Sequence, residues 1–325
     1  MAKATSYNVA GNREDLSDIL TILEPEVTPV TSMAKKQKTS STFFEWQVDD
    51  LQQVEFAGVN EGEDVSSFTN ASANRARLGN YIQKFRRTFA VSDIQELTDT
   101  AAVSSEFAYA EGKAAREIKR DVEAAICSNQ DRQQDGGAGS PYLTRGLYNW
   151  LGTPADVPAE FRSVGEQNGA SELTEAELNA MLQSVYEANG MPGGQLTLVA
   201  GPDIKRNISD FSRGTGAVQA NSVFRVSQDG ASKKITLSVN MYEGDFGNIA
   251  VVPSLFVNRA SGGGVTANVQ NSALLIDPEY IALHQLKAES KSELEDQGGG
   301  RRGFCDIICG LACLAPKAHS RVTPS

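Results

Sequence analysis

The run "FCDIICGLAC" sets Cys305, Cys309 and Cys313 four residues apart, and His319 follows six residues after the last of them. Three thiols and an imidazole are the donor types of a tetrahedral zinc site, and a four-residue repeat brings the thiols to one face of either a strand or a helix. Zinc sites of this kind are ordinarily built on a close Cys-x-x-Cys knuckle, which is absent, and Ile307, Ile308 and Leu311 make the surroundings apolar. The pattern therefore reads as buried thiols packing as small hydrophobes. Cys127 stands alone, so the four cysteines do not resemble the framework of a small secreted domain.

The remaining candidates for chemistry are no stronger. A hydrolase triad needs a histidine oriented by a carboxylate beside a nucleophile. Of the two histidines, His284 lies inside the strand-like "YIALHQL", His319 lies near the end of the sequence, and no Gly-x-Ser-x-Gly elbow accompanies either. The glycine-rich "DGGAGS" has backbone N–H groups of the kind that cradle a phosphate. It lacks the Lys-Ser/Thr that completes a nucleotide loop and has no strand immediately before it. The acidic "EGED" from Glu61 to Asp64 does not carry the spacing of a calcium loop and reads as a solvated tip. No catalytic, cofactor-binding or metal-binding residues are assigned, and no cofactor is expected.

The chain has 325 residues, 40% of them hydrophobic, enough for two or three domains with real cores. A net charge of −11 argues against a protein whose whole surface holds nucleic acid by counterion release. No window reaches the ~20 consecutive apolar residues of a membrane span, so no membrane partner is expected. The first residues lack the apolar core of a signal peptide, and the expected compartment is a cytosol.

Near the start, "NREDLSDILTIL" at 12–23 puts Leu16, Ile19, Leu20 and Leu23 at helical spacing, and Pro25 and Pro29 then force an extended path. In "STFFEWQVDDL", Phe44, Trp46 and Val48 alternate with polar residues, as in a half-buried strand. A stretch rich in Gly, Asn, Ser and acids follows. The chain then returns through "NYIQKFRRTFAV", with Tyr81, Phe85 and Phe89 on one side and Ile82, Lys84 and Arg86 on the other. Two strands alone are marginal in water, so this ribbon needs a partner for its aromatic face. Ser92 and Gln95 fit a capping box that ends it.

Residues 104–128 predict a strut-like helix roughly 37 Å long. Its stripe is Phe107, Ala114, Ile118, Val122 and Ala125, with Lys113–Glu117 and Lys119–Glu123 paired on the wet side. Thr174 and Glu177 cap a second helix, with Leu178, Met181, Leu182 and Val185 on its apolar face and Asn189-Gly190 as its stop. "QLTLVAG" then reads as a buried strand and "PDIKRNISDF" as a helix begun by proline, together an α/β unit. Residues 222–257 carry three strand-like runs, and "ALLIDPEYIALHQL" and "RRGFCDIICGLACLAP" add two or three more.

Arms, a ribbon and a strut without a catalytic constellation suggest surfaces made to meet copies of the same chain. The segments "DILTILEPEVTPVTSM", "FFEWQVDDL", "RARLGNYIQKFRRTFAVSDIQE", "REIKRDVEAAICSNQ", "LTLVAGPDIKRNISDF" and "LEDQGGGRRGFCDIICGLACLAP" resemble, in order and over nearly the whole chain, tailed-bacteriophage major capsid proteins of the Hong Kong 97-type fold. The similarity is greatest to the podovirus-like and elongated-head branch, and it is weakest from Asn149 to Leu173.

The resemblance implies an α+β fold with an N-terminal arm at 1–41, an extended loop at 42–91, and a peripheral domain at 92–194 that contains a spine helix. An axial domain at 195–262 and a return to the peripheral domain at 263–325 complete it. It also implies a non-enzymatic protein of the virion capsid that assembles with itself as hexamers and pentamers around double-stranded DNA held by enclosure. Portal protein, a separate scaffolding protein and, as an optional further partner, a decoration protein are implied too. No coiled coil precedes the first helix, so loss of a large N-terminal piece is not expected. The ribbon residues Tyr81, Lys84, Phe85, Arg86, Arg87 and Phe89 are the expected intersubunit contact, the aromatics on an adjacent copy and the cations on its acidic groups. The alternative is that they pack within their own subunit. The basic "KKQK" of Lys35 to Lys38 is a patch that could face the genome. A nanocompartment shell of the encapsulin kind and an unrecognised α/β enzyme are the competing functions.

Overall fold

The structure is a computed structural model that describes residues 27–52, 54–70, 72, 74–98, 100, 103–169, 173–189, 196–211, 240–244 and 246–324. The helix expected at 12–23 and the strand-like runs within 222–239 lie outside the described residues. Along the chain come α1 (Pro29–Met33), β1 (Lys35–Lys38), β2 (Phe43–Val48), β3 (Ala76–Tyr81), β4 (Gln83–Val91), α2 (Asp93–Leu97) and α3 (Glu106–Ile126). Then follow α4 (Leu147–Trp150), β5 (Gln167–Gly169), α5 (Glu175–Asn189), β6 (Leu196–Ala200), α6 (Pro202–Phe211), β7 (Met241–Gly244) and β8 (Gly247–Pro253). The last elements are α7 (Ala267–Gln270), β9 (Ala273–Ile276), β10 (Ile281–Leu294), β11 (Arg301–Cys313) and β12 (Ser320–Pro324).

Two compact units divide these residues. The larger comprises Val27–Phe85, Lys119–Glu289 and Ile307–Ser325, and the smaller contains Arg86–Ile118 and Ser290–Asp306. The larger unit is organised by a six-stranded mixed sheet in the order β5-β12-β9-β6-β8-β7. Strand β6 runs parallel to β8, with α6 begun after it, and antiparallel to β9. All five residues of β6 are buried, so it reads as a continuous apolar run with no alternation. Leu178, Met181, Leu182 and Val185 of α5 and Ile204 and Ile208 of α6 share one core with Leu196, Leu198, Ile249, Val251 and Leu275. Those strand residues point to one face of the sheet, and both helices therefore cover that face. Gly201 ends β6 where a Cβ would fall 2.0 Å from the Val269 carbonyl oxygen, so only glycine lets α7 approach.

The capping box of α5 forms as the spacing implies. Thr174 Oγ1 accepts from Glu177 N–H at 3.3 Å, and Glu177 accepts from Thr174 N–H at 2.8 Å. The strut helix also forms, but its wet side differs. Lys113 and Glu117 pair at 3.9 Å, whereas Lys119 turns to Glu289 at 3.7 Å. Glu123 is fully buried and accepts from the N–H of Val30 at 2.9 Å, the N–H of Thr31 at 2.8 Å and the Thr31 hydroxyl. Burial pushes its carboxyl above the usual range, against the lowering pull of those donors. The free N–H groups at the start of α1 explain this choice, because a short helix begun by Pro29 has no side-chain cap of its own.

The returning strand is also divided differently from the sequence expectation. Residues 76–81 pair with β2 in a two-stranded ribbon, while Gln83–Val91 leaves it to join a four-stranded sheet in the order β1-β10-β11-β4. Ile82 marks the change: it is buried with Phe44, Ala282 and Ala312 in a second core, which Trp46, Ile308 and Leu314 flank.

Candidate intersubunit surface

The ribbon is anchored by a buried polar junction at its base. Asn80 Nδ2 donates to Thr144 Oγ1 at 3.0 Å, Arg145 O at 3.2 Å and Leu311 O at 2.7 Å. Its Oδ1 accepts from the N–H groups of Tyr81 and Arg145, both at 2.9 Å. Arg145 in turn reaches Asp131 at 2.8 Å and grips both oxygens of Asp156 at 3.0 and 2.8 Å, with its guanidinium 4.7 Å from the centre of the Trp150 ring. Arg132 adds a second cation to Asp156 at 2.9 Å. Burial alone would raise the Asp156 carboxyl, but the Arg145 hydrogen bonds and the two guanidiniums outweigh it and hold the group below its ordinary range. Sequence reading did not single out this junction. The signal was an isolated arginine inside the apolar "YLTRGLYNW", a position that requires a carboxylate partner.

Beyond Val48 and before Ala76 the chain leaves the sheet entirely. Asp49–Arg75 at 3.2 Å and Glu45–Arg77 at 3.6 Å close the base of this excursion. Among its described residues there is no helix or strand, only turns such as that at Asn60–Glu63, where Asn60 donates to Glu63 through its N–H and its amide. Leu51, Val54, Phe56, Val59, Val65 and Phe68 are all exposed there, Phe56 at 95% and Phe68 at 89%. Six exposed large apolar side chains on one short excursion are a load that a solitary soluble chain has no reason to keep in water. The "EGED" tip lies between them, and no metal-ligating cluster occurs among the described residues.

The six ribbon residues expected at a contact separate into two groups. The aromatics are used within the chain: Phe85 is buried, Phe89 meets Phe107 edge-on at 5.3 Å, and Tyr81 packs 4.7 Å from Phe43 and 5.7 Å from Tyr142. Lys84, Arg86 and Arg87 are exposed at the main-chain edge of β4. Arg86 lies 3.7 Å from Asp306 and 4.5 Å from the Phe304 ring centre, and Arg87 lies 4.0 Å from Glu117. In the smaller unit, Val91, Asp93, Glu96, Leu97, Phe107 and Arg301 line an open hollow of about 390 Å³. Glu96 caps α3 there, accepting from Phe107 N–H at 3.0 Å and Ser105 Oγ at 2.7 Å, which lowers its carboxyl. Ile94 and Leu97 stand exposed on α2. Gly300, with φ of +104° and no room for a Cβ against the Val91 carbonyl, lets the β10–β11 turn pass close to this corner.

The residues with chemical potential are placed without a reactive arrangement. Cys305, Cys309 and Cys313 are buried on β11, where burial pushes the Cys309 thiol up to about 12 and the Cys313 thiol further in the same direction. Thiols so raised are poor nucleophiles and poor ligands at neutral pH. His284 stacks on Phe44 at 4.5 Å and is lowered by burial. His319 is fully buried, and its Nδ1 accepts from Asp277 N–H at 3.0 Å. In the "DGGAGS" loop, the N–H groups of Gly136, Gly137 and Ser140 are spent on Ser140, Asp135 and Gly137, so they do not form a phosphate cradle.

This mixed fold of ribbon, long helix and α/β sheet is that of a Hong Kong 97-type capsid protein, and solved structures match it along the whole chain. The Cyanophage A-1(L) capsid asymmetric unit superposes with a TM-score of 0.67 at 14% identity, covering 98% of each chain. The capsid of the native GTA particle gives 0.62 at 11% identity over 98% of this chain and 96% of that one. A chain of Mycobacterium phage Bobi gives 0.62 at 12% identity over 100% and 99%. The family model described as SU10 major capsid protein matches residues 3–324, and the chain belongs to that family. The major capsid protein of Escherichia phage Phieco32 is 30% identical over 128 residues, which are 39% of this chain and 36% of that protein. The chain is thus a structural protein of the tailed-phage virion capsid and not an enzyme, which also decides against the nanocompartment reading.

Proposed function

We propose that the chain closes with copies of itself, as hexamers and pentamers, into a phage head shell that encloses double-stranded DNA. The observation that carries this is the excursion at 49–75, whose six exposed apolar side chains have no cover among the described residues. An adjacent copy supplies that cover. The contact expected of the ribbon is shared out accordingly. Residues 51–68 carry the apolar contact, Lys84, Arg86 and Arg87 add exposed cations toward acidic groups of the neighbour, and Tyr81, Phe85 and Phe89 brace the base from within.

The further assignments rest on the resemblance: an arm at 1–41, an extended loop at 42–91, a peripheral domain at 92–194 and 263–325, and an axial domain at 195–262. So do a portal protein, a separate scaffolding protein and an optional decoration protein as partners, with the DNA held chiefly by enclosure. Electron microscopy of the purified protein tests the reading. Uniform shells or ring capsomers are expected, and a monodisperse ~35 kDa species over a wide range of salt and concentration would overturn it.

A further inference from the structure

Strand β1 is the edge of the four-stranded sheet, and all four of its side chains, Lys35, Lys36, Gln37 and Lys38, are exposed. It runs parallel to β10 with Lys36 opposite Leu283 and Lys38 opposite Gln285. The surrounding sequence has one sign. Residues 27–42 contain three lysines and no carboxylate, in a chain with 41 acidic residues. Lys35 is tethered at one end, its Nζ donating to the Glu279 carbonyl oxygen at 3.1 Å. Lys36 and Lys38 project to a common side, about 6.6 Å apart along the strand. That separation is of the order of the distance between neighbouring phosphates on one nucleic-acid strand. The exposed hydroxyls of Ser40, Ser41 and Thr42 follow directly and are donors of the kind that accompany lysine on phosphate oxygens.

Lysines on an edge strand also deter pairing with another chain. That purpose is served by charge of either sign. It does not account for three lysines and no carboxylate over residues 27–42 in a chain whose net charge is −11. We propose that β1 forms a contact strip for the phosphate backbone of duplex DNA, with Lys36 and Lys38 as the groups that meet it. The strip rests on the shell reading for the source of the duplex. Two such contacts are few, so the strip orders the DNA nearest to it and leaves retention to enclosure.

The test measures binding of the full chain to a fluorescently labelled duplex as salt is raised from 50 to 200 mM. Each phosphate contact contributes about 0.9 to the slope of log K against log salt. Lys36→Gln/Lys38→Gln should therefore lower the slope by about 2, which removes about a twelve-fold share of the affinity lost over that range. Lys113→Gln, an exposed lysine beside Glu117, should leave the slope as it is. An unchanged slope in the double variant, an equal drop in the Lys113 variant, or no binding by the wild type at 50 mM salt would each overturn the strip. Micrographs of the same preparations separate this from the shell: shells with an unchanged slope sink the strip alone, and chains that never close sink the shell reading.

Discussion

The excursion at 49–75 and the junction at Asn80 lie next to each other in sequence and handle their side chains in opposite ways. At the junction Asn80, Thr144 and Arg145 are buried and every donor named on them meets an acceptor inside the chain. Along the excursion the ion pairs Asp49–Arg75 and Asp50–Lys317 lie at its root, and beyond them apolar side chains stand in water. A chain that could not satisfy its own groups would fail in both places. This one finishes the base and leaves the tip open, so the openness belongs to the excursion and not to a poor fold. Mutation at the base should therefore read out as subunit stability, and mutation at the tip as assembly.

The largest effect is expected at the base. Arg145→Met leaves Asp156 facing only Arg132 and strips the junction of its central cation. Breaking a buried pair from one side costs about 3–5 kcal/mol, and the lower end, about 3 kcal/mol, applies here because Asp156 is only partly buried and keeps Arg132. Denaturant unfolding of dissociated subunits should show a loss of this size, and a loss below about 1 kcal/mol would mean that the junction is as dispensable as a surface pair. Phe85→Ala sharpens the same side of the comparison. The ring is buried in its own chain, so its removal should cost about 3 kcal/mol of subunit stability. Subunits of undiminished stability that merely fail to assemble would return Phe85 to the intersubunit contact.

Acid should act on the base as well. Burial lowers His319 from 6.5 to about 4, against a raising pull from the Tyr280 backbone. The unfolded chain therefore binds the proton more tightly than the folded one, and stability falls as pH drops from about 6.5 toward 4, by about 3 kcal/mol at pH 4. His319→Asn keeps an acceptor for the Asp277 N–H but does not titrate there. Its unfolding free energy should lose less than that of the wild type over this window. Parallel pH profiles for the two proteins would show that the imidazole is not the group responsible.

These regions also differ in how much of them the sequence disclosed. The helices at 106–126 and 175–189 and the buried strand at 196–200 were legible because periodicity and caps are local signals. Glu123 was misread because a lysine four residues earlier offers an equally local pairing, while its actual partners, Val30 and Thr31, lie far away in sequence. The division at Ile82 was invisible for a related reason. Two consecutive strands with unbroken alternation look like one, and only the packing of Ile82 against Ala282 and Ala312 turns the chain into another sheet. The aromatics of 81–89 need cover by their spacing, but a sequence does not say whether that cover comes from the same chain or from a neighbour. The loop's polar composition hid the reverse case, since Phe56 and Phe68 are spaced too widely among Gly, Asn and Ser to register as a face.

The smallest effect on stability, and the sharpest division between the two regions, is expected from Phe56→Ser/Phe68→Ser. Both rings are almost fully exposed, so the subunit loses almost no packing, and surface substitutions of this kind usually stay within about 0.5 kcal/mol. Unfolding curves of dissociated subunits should superimpose on those of the wild type. Covered by a neighbour, the same rings become anchors whose truncation costs about 2 kcal/mol or more apiece, and a closed shell repeats that loss at every subunit. The double variant should therefore fold normally and remain as subunits or small rings where the wild type forms shells, as read by sedimentation and electron microscopy. Normal shells from this variant would place the subunit contact elsewhere on the chain, and a destabilised subunit would show that the excursion packs on its own body in solution.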